Sequence, residues 1–153
     1  MFRAIAIRDS QDEDLPRLAD LWVASWREAM PEIDFSARRP WFCAHMQALK
    51  ASGAAIFCAY DGANRLIGFA TLDPVSGYLD QIAVAPDAKG SGAAMLLLNE
   101  ARRRAPIGLE LDVNQDNGRA VRFYEREGFE KCAEGVNPRS GLKTWRLRWT
   151  KGA

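Results

Sequence analysis

The sequence predicts an α+β domain built on a sheet of mixed direction, and three observations carry that prediction. Short alternating runs are joined by turn residues, helical periodicities are interleaved with them, and one strand leads through a glycine turn into a helix. That order does not fit a doubly wound sheet. All 153 residues are assigned to one domain, a length that buries a continuous core without metals or staples.

Residues 3–8 alternate apolar with charged or small side chains and form the first strand, followed by a polar cluster over residues 9–14. The first helix is capped at Asp14, which puts Pro16 in the first turn, where its missing N–H costs nothing. A capping box starting at Ser10 would place that proline in the helix interior. Leu15, Leu18, Ala19, Trp22 and Trp26 share one helical face, read as core, and the helix ends before Pro31. Residues 35–51 form a second helix, with Pro40 near its start and Gly53 as terminator. Residues 54–60 and 66–72 are strands of an antiparallel hairpin, joined by the turn-rich residues 61–65. Along the next strand, residues 78–84, Tyr78, Asp80, Ile82 and Val84 share one face, and Leu79, Gln81 and Ala83 the other. Pro86 ends it, and residues 93–104 form an Ala/Leu-rich helix whose basic end suits the macrodipole. A strand over 107–113, a short helix over 119–127 closed by Gly128, and strands over 131–136 and 144–149 complete the chain.

Composition narrows the functions. Lys plus Arg number 21 against 20 Asp plus Glu, so no global field draws the protein to nucleic acid or an anionic membrane. The cysteines Cys43, Cys58 and Cys132 are widely spaced without a CxxC pair, which predicts a reducing compartment and no metal site. No basic start followed by an apolar stretch opens the chain, and no run approaches ~18 apolar residues, so a cytoplasmic protein is expected. His45 is the single histidine, which disfavours multi-histidine metal sites and most Ser-His or Cys-His hydrolases.

The most informative stretch runs Ile82-Ala83-Val84-Ala85-Pro86-Asp87-Ala88-Lys89-Gly90-Ser91-Gly92-Ala93-Ala94-Met95. A strand ends, glycines follow and a helix opens, so the backbone N–H groups of Gly90, Ser91, Gly92, Ala93 and Ala94 form an anion cradle suited to pyrophosphate. A glycine pair alone also fits a plain strand-to-helix loop. Support comes from a second segment, LDVNQDNGRAVRFYEREGF, with Asn117, Ala120, Phe123, Tyr124, Glu125, Gly128 and Phe129.

Together the two segments resemble the Gcn5-related N-acetyltransferases (GNAT). In that family the phosphate turn reads Arg or Gln, x, x, Gly, x, Gly or Ala, and the later segment reads Asn-x-x-Ala-x-x-Phe-Tyr-Glu and then Gly-Phe. The resemblance is strong over about residues 66–130, and it places Lys89, Gly92 and Ala94 on the turn's key positions. It implies a GNAT acyl-CoA acyltransferase fold, a central, mostly antiparallel splayed sheet flanked by helices, with acetyl-CoA as acyl donor. The pantetheine arm is expected to enter between the strands 78–84 and 107–113 like an added strand, near Ile82, Ala83 and Val84. Asn117 falls on the cofactor-contacting asparagine and Tyr124 on the catalytic tyrosine. Lys89 departs from the usual Arg or Gln and offers a flexible point charge instead of a planar fork.

The chemistry implied is direct transfer to an amine, without a covalent enzyme intermediate or metal. An alkyl ammonium of pKa about 10.4 is only about 0.04% neutral at pH 7, so the amine needs a base or desolvation, and the departing thiolate needs a proton. A phenol stays protonated at neutral pH and can give that proton, the role the resemblance assigns to Tyr124. For the base, Asp80 points to the acceptor side directly or through a water, although a carboxylate holding a neighbouring loop fits equally, and Tyr78 stands where the family often has glutamate. Trp22, Trp26, Phe35, Trp41 and Phe42 lie in the helices that wall the acceptor pocket in this family, mostly as core, and His45 lies in the same region. The acceptor is a small-molecule amine or a peptide or protein amine; a homodimer through the C-terminal strands fits the family. An idle acyl-CoA sensor and a transferase with another acyl donor are the rival readings.

Overall fold

The seven strands of the described residues form two antiparallel sheets that meet at a single point. In this computed structural model, which describes residues 4–152, β1 (Ala6–Asp9), β2 (Ala55–Tyr60), β3 (Leu66–Leu72) and β4 (Leu79–Val84) pair in the order β1-β2-β3-β4. The strands β5 (Gly108–Asn114), β6 (Glu130–Val136) and β7 (Lys143–Thr150) pair in the order β5-β7-β6. Helices α1 (Leu15–Ala29), α2 (Arg39–Ala51), α3 (Ala93–Arg104) and α4 (Gly118–Arg126) are interleaved with them.

Every residue of β3 is buried, which requires cover on both faces of the first sheet. Phe69 meets Phe42 of α2 edge to face at 5.9 Å. On the opposite face a Cβ at Gly68 would lie 3.0 Å from Leu97 of α3. The sheet is thus sandwiched between α2, with α1 packed beside it, and α3. Phe42, Phe57 and Phe69 have no exposed surface, and burial of each such ring contributes about 1.5–3 kcal/mol. No helix is long and apolar enough to cross a membrane among the described residues.

Local chemistry explains where the observed bounds differ from expectation. The first turn of the expected second helix is a 3-10 turn, Ser36–Arg38, and the α-helix starts at Arg39. Pro40 has no N–H for the carbonyl of Ser36, which instead accepts from Arg39. Asp14 does stand at the start of α1, but its carboxylate turns back to the amide of Gln11 at 2.7 Å and makes no cap bond to the helix. Position 3 of the expected first strand lies outside the described residues. Along β4 the strict alternation of faces is interrupted. The register slips between Thr71 and Leu72, so Leu72 pairs with Leu79 and Thr71 with Gln81, and Asp80 is the extra residue.

The two sheets are joined by one parallel bridge between Tyr78 and Glu110, where the Glu110 amide donates to the carbonyl of Gly77 at 3.0 Å. Beyond it β4 and β5 run in the same direction without a ladder between them, and they separate. Gly77 adopts φ +80°, and a Cβ there would lie 2.1 Å from the carbonyl oxygen of Gly108. Gly77→Ala combines a left-handed backbone penalty of ~1–2 kcal/mol with that collision. Urea unfolding is expected to show a loss of about 2 kcal/mol or more; a wild-type midpoint contradicts the role given to this joint.

Candidate active site

The gap between β4 and β5 opens into a cavity of about 550 Å³. The candidate site residues Asp80, Ile82, Asn117 and Tyr124 line it together, although 44 positions separate the first from the last, and Trp26, Trp41, His45 and Tyr78 line it with them. Ala83 and Val84 do not line this cavity, nor does the turn from Lys89 to Ala94, which follows the end of β4 remote from the joint.

The edge of β4 is set by peptide alternation. Gln81 donates its amide to Thr71 Oγ1 at 3.0 Å and Ala85 donates to Ile67 O at 2.8 Å, so both face β3. Alternation then turns the peptide groups of Ile82 and Val84 to the other edge, toward the gap. There they have no backbone partner among the described residues.

In the glycine turn, Gly90 and Gly92 take φ +82° and +94°, a conformation that L side chains rarely adopt. Two of the five amides expected to be free are occupied. Ser91 donates to Ala88 O at 3.1 Å, and Ala93 to Ser91 Oγ at 3.3 Å, because the turn closes on itself before α3 begins. The amides of Gly90, Gly92 and Ala94 have no partner among the described residues. Lys89 Nζ is ion-paired with Glu28 of α1.

Asn117 caps α4, its Oδ1 accepting from the Ala120 amide at 3.3 Å. Tyr124 follows two turns later on the inner face of that helix. Its ring is edge-on to Phe123 and Phe129 at 5.2 and 5.4 Å, and only 7% of the residue is exposed. Its hydroxyl has no hydrogen-bond partner among the described residues, and burial pushes its pKa above that of an ordinary phenol.

Several contacts in the cavity carry no local sequence signature. Tyr78 donates its hydroxyl to Asp112 at 2.7 Å, and Arg146 grips the same carboxylate through Nε and Nη2, both at 2.9 Å. Asp80 accepts from His45 of α2 at 2.6 Å and from Gln81 Nε2 at 3.2 Å. His45 in turn stacks on Trp41 at 4.7 Å, and the Arg139 guanidinium lies 3.7 Å from the centre of the Trp41 ring. Of this cluster the sequence points to Tyr78, Asp80, Trp41 and His45, whereas Asp112, Arg139 and Arg146 carry no signal of their own.

Burial pushes the Asp112 carboxyl up, but Arg146 and the Tyr78 hydroxyl outweigh it and hold the group below its ordinary value. A depressed folded-state pKa contributes stability above the unfolded value that is lost as pH falls through the folded one. The wild type should therefore melt above Asp112→Asn at neutral pH, and the gap should close as pH drops below 3.8, the ordinary aspartate value. A gap that persists in acid contradicts the ion-pair account.

A family profile described as an acetyltransferase (GNAT) domain matches residues 41–151. The peptidyl-lysine N-acetyltransferase YiaC of Escherichia coli is 29% identical over 144 residues, 94% of this chain and 95% of its own. The solution structure of apo YjaB from Escherichia coli superposes with a TM-score of 0.76 at 25% identity, covering 98% of this chain and 99% of that one. The PaiA N-acetyltransferase of Thermoplasma acidophilum, solved with coenzyme A, shares the fold with a TM-score of 0.78 at 18% identity, covering 96% and 99%. Two sheets splayed around a cavity, and a profile that spans most of the chain, thus agree: this chain belongs to the GNAT family of acetyltransferases.

Proposed function

We propose that the chain transfers an acetyl group from acetyl-CoA directly to a primary amine, with Tyr124 as general acid and without a covalent enzyme intermediate. One observation carries this reading most: a buried phenol with no protein partner lines the cavity between the separated strands, beside Asn117. The name of YiaC, a peptidyl-lysine N-acetyltransferase, supports a lysine side chain of a peptide or protein as acceptor.

The residues present fit an acyl-CoA. The free edge of β4 at Ile82 and Val84, with Ala83 between them, can pair with the amide-bearing pantetheine arm, and Asn117 lines the cavity on the opposite side. The unpaired amides of Gly90, Gly92 and Ala94, at the start of a helix, suit the pyrophosphate, with Ser91 and Ala93 shaping the turn. Lys89 adds a positive charge once it leaves Glu28, an exposed pair that costs little to break. Acetyl-CoA supplies the acyl group as a thioester whose thiolate leaves. Tyr124 holds the proton that this thiolate needs, and its raised pKa keeps it protonated at neutral pH.

Tyr124→Phe keeps the ring and removes the proton, so kcat should fall about 10²–10⁴-fold while acetyl-CoA affinity and melting temperature change little. Single-turnover kinetics with a lysine peptide make the test. A stable variant reacting at the wild-type rate shows that another group or water protonates the thiolate.

A further inference from the structure

His45 and Asp80 lie 35 positions apart, on a helix and a strand, yet the fold brings His45 Nε2 within 2.6 Å of Asp80 Oδ2. Gln81 Nε2 donates to the same carboxylate oxygen at 3.2 Å. The imidazole lies against the Trp41 ring at 4.7 Å and 16°, and both rings line the cavity that holds Tyr124. Three constraints thus fix this ring: its helix, the stack and the carboxylate.

A carboxylate only accepts hydrogen bonds, so in the neutral ring Nε2 carries the hydrogen and Nδ1 keeps its lone pair. We infer that His45 is the base that takes the proton from the acceptor amine, and that Asp80 is the positioning residue that fixes its tautomer and offsets the charge it gains. This rests on the acetyl-transfer reading and replaces the expectation that the Asp80 carboxylate is itself the base. Oδ2 is already engaged by two donors, which leaves Nδ1 of the imidazole with a lone pair that no protein donor occupies among the described residues.

The proton balance closes. The ammonium of the acceptor gives one proton to Nδ1, and its freed lone pair forms the C–N bond to the acetyl carbon. As the C–S bond breaks, its electron pair stays on sulfur and takes the Tyr124 proton. The second amine proton passes to solvent, and the phenolate is reprotonated from the imidazolium through solvent.

The charged and titratable groups around the ring have other partners or lie at the rim. Tyr78 and Arg146 are tied to Asp112, Glu134 lies 3.4 Å from the Gln115 amide, and Arg139 covers Trp41 from the β6–β7 loop. Asp80 is therefore the carboxylate that answers to His45.

Because His45 is the only histidine, nitrogen-15 spectra of the whole protein report one imidazole. The expected result is the Nε2–H tautomer in the wild type and loss of that preference in Asp80→Asn. In kinetics with acetyl-CoA and a lysine peptide, His45→Gln should lower kcat/KM about 10²–10⁴-fold and remove the low-pH limb of the rate profile, leaving acetyl-CoA affinity unchanged. An Nδ1–H tautomer in the wild type overturns the proposal whatever the kinetics. So does an active wild type matched by His45→Gln in rate and low-pH limb, and this leaves acetyl transfer standing. A wild type that acetylates no lysine peptide or other amine overturns the parent reading, and this role of His45 with it.

Discussion

The two sheets are joined through one backbone bridge, Tyr78 with Glu110, where the Glu110 amide donates to the carbonyl of Gly77. Had β4 and β5 zipped beyond it, a continuous sheet would have satisfied the edge of β4 and left no cavity. Instead the strands part, and the edge groups of Ile82 and Val84 stay without a backbone partner. Buried or half-buried peptide groups without partners are costly, and a ligand that supplies partners recovers that cost as binding. The cleft is an unfinished sheet, and the extended, amide-bearing arm of an acyl-CoA is chemically suited to complete it.

The remaining interactions brace the walls of this cleft. Behind β4, α3 and the aromatic contacts of α1 and α2 bury β3 on both faces. On the other side, Asp112 with Arg146 and Glu110 with Arg148 cross-link β5 to β7. Tyr78 reaches from the first sheet to Asp112 of the second, so the joint is braced by a side chain as well as by backbone. The polar work of the cavity is then divided between a buried phenol on α4 and an imidazole–carboxylate pair between α2 and β4. Both line the one cavity, so the proposed proton donor and the proposed proton acceptor face a shared space.

Much of this was legible in the sequence, for reasons that are local. The bounds of Leu66–Leu72 and Ala93–Arg104 match expectation because apolar periodicity and a glycine turn act over a few residues. Asn117 and Tyr124 lie within one short helix and its cap, a spacing short enough for the family resemblance to be carried by local sequence. What the sequence hid is non-local. Gly77 is unremarkable until the carbonyl of Gly108 is brought against it. The extra residue at Asp80 depends on the register with β3, and the contact of Asp80 with His45 depends on how α2 crosses the sheet. The amides of Ser91 and Ala93 are expected to be free from their position at a helix start, and only the path of the turn sends them to Ala88 O and the Ser91 hydroxyl.

The proposed function depends first on whether the gap between β4 and β5 receives an acyl-CoA. Amide chemical shifts followed during titration with acetyl-CoA test it most directly. Saturable shifts are expected on Ile82 to Val84, Gly90 to Ala94 and Asn117, with β1, at the far edge of the first sheet, unmoved. Saturable binding that leaves β4 and the glycine turn unshifted, or no binding at millimolar acetyl-CoA, contradicts it.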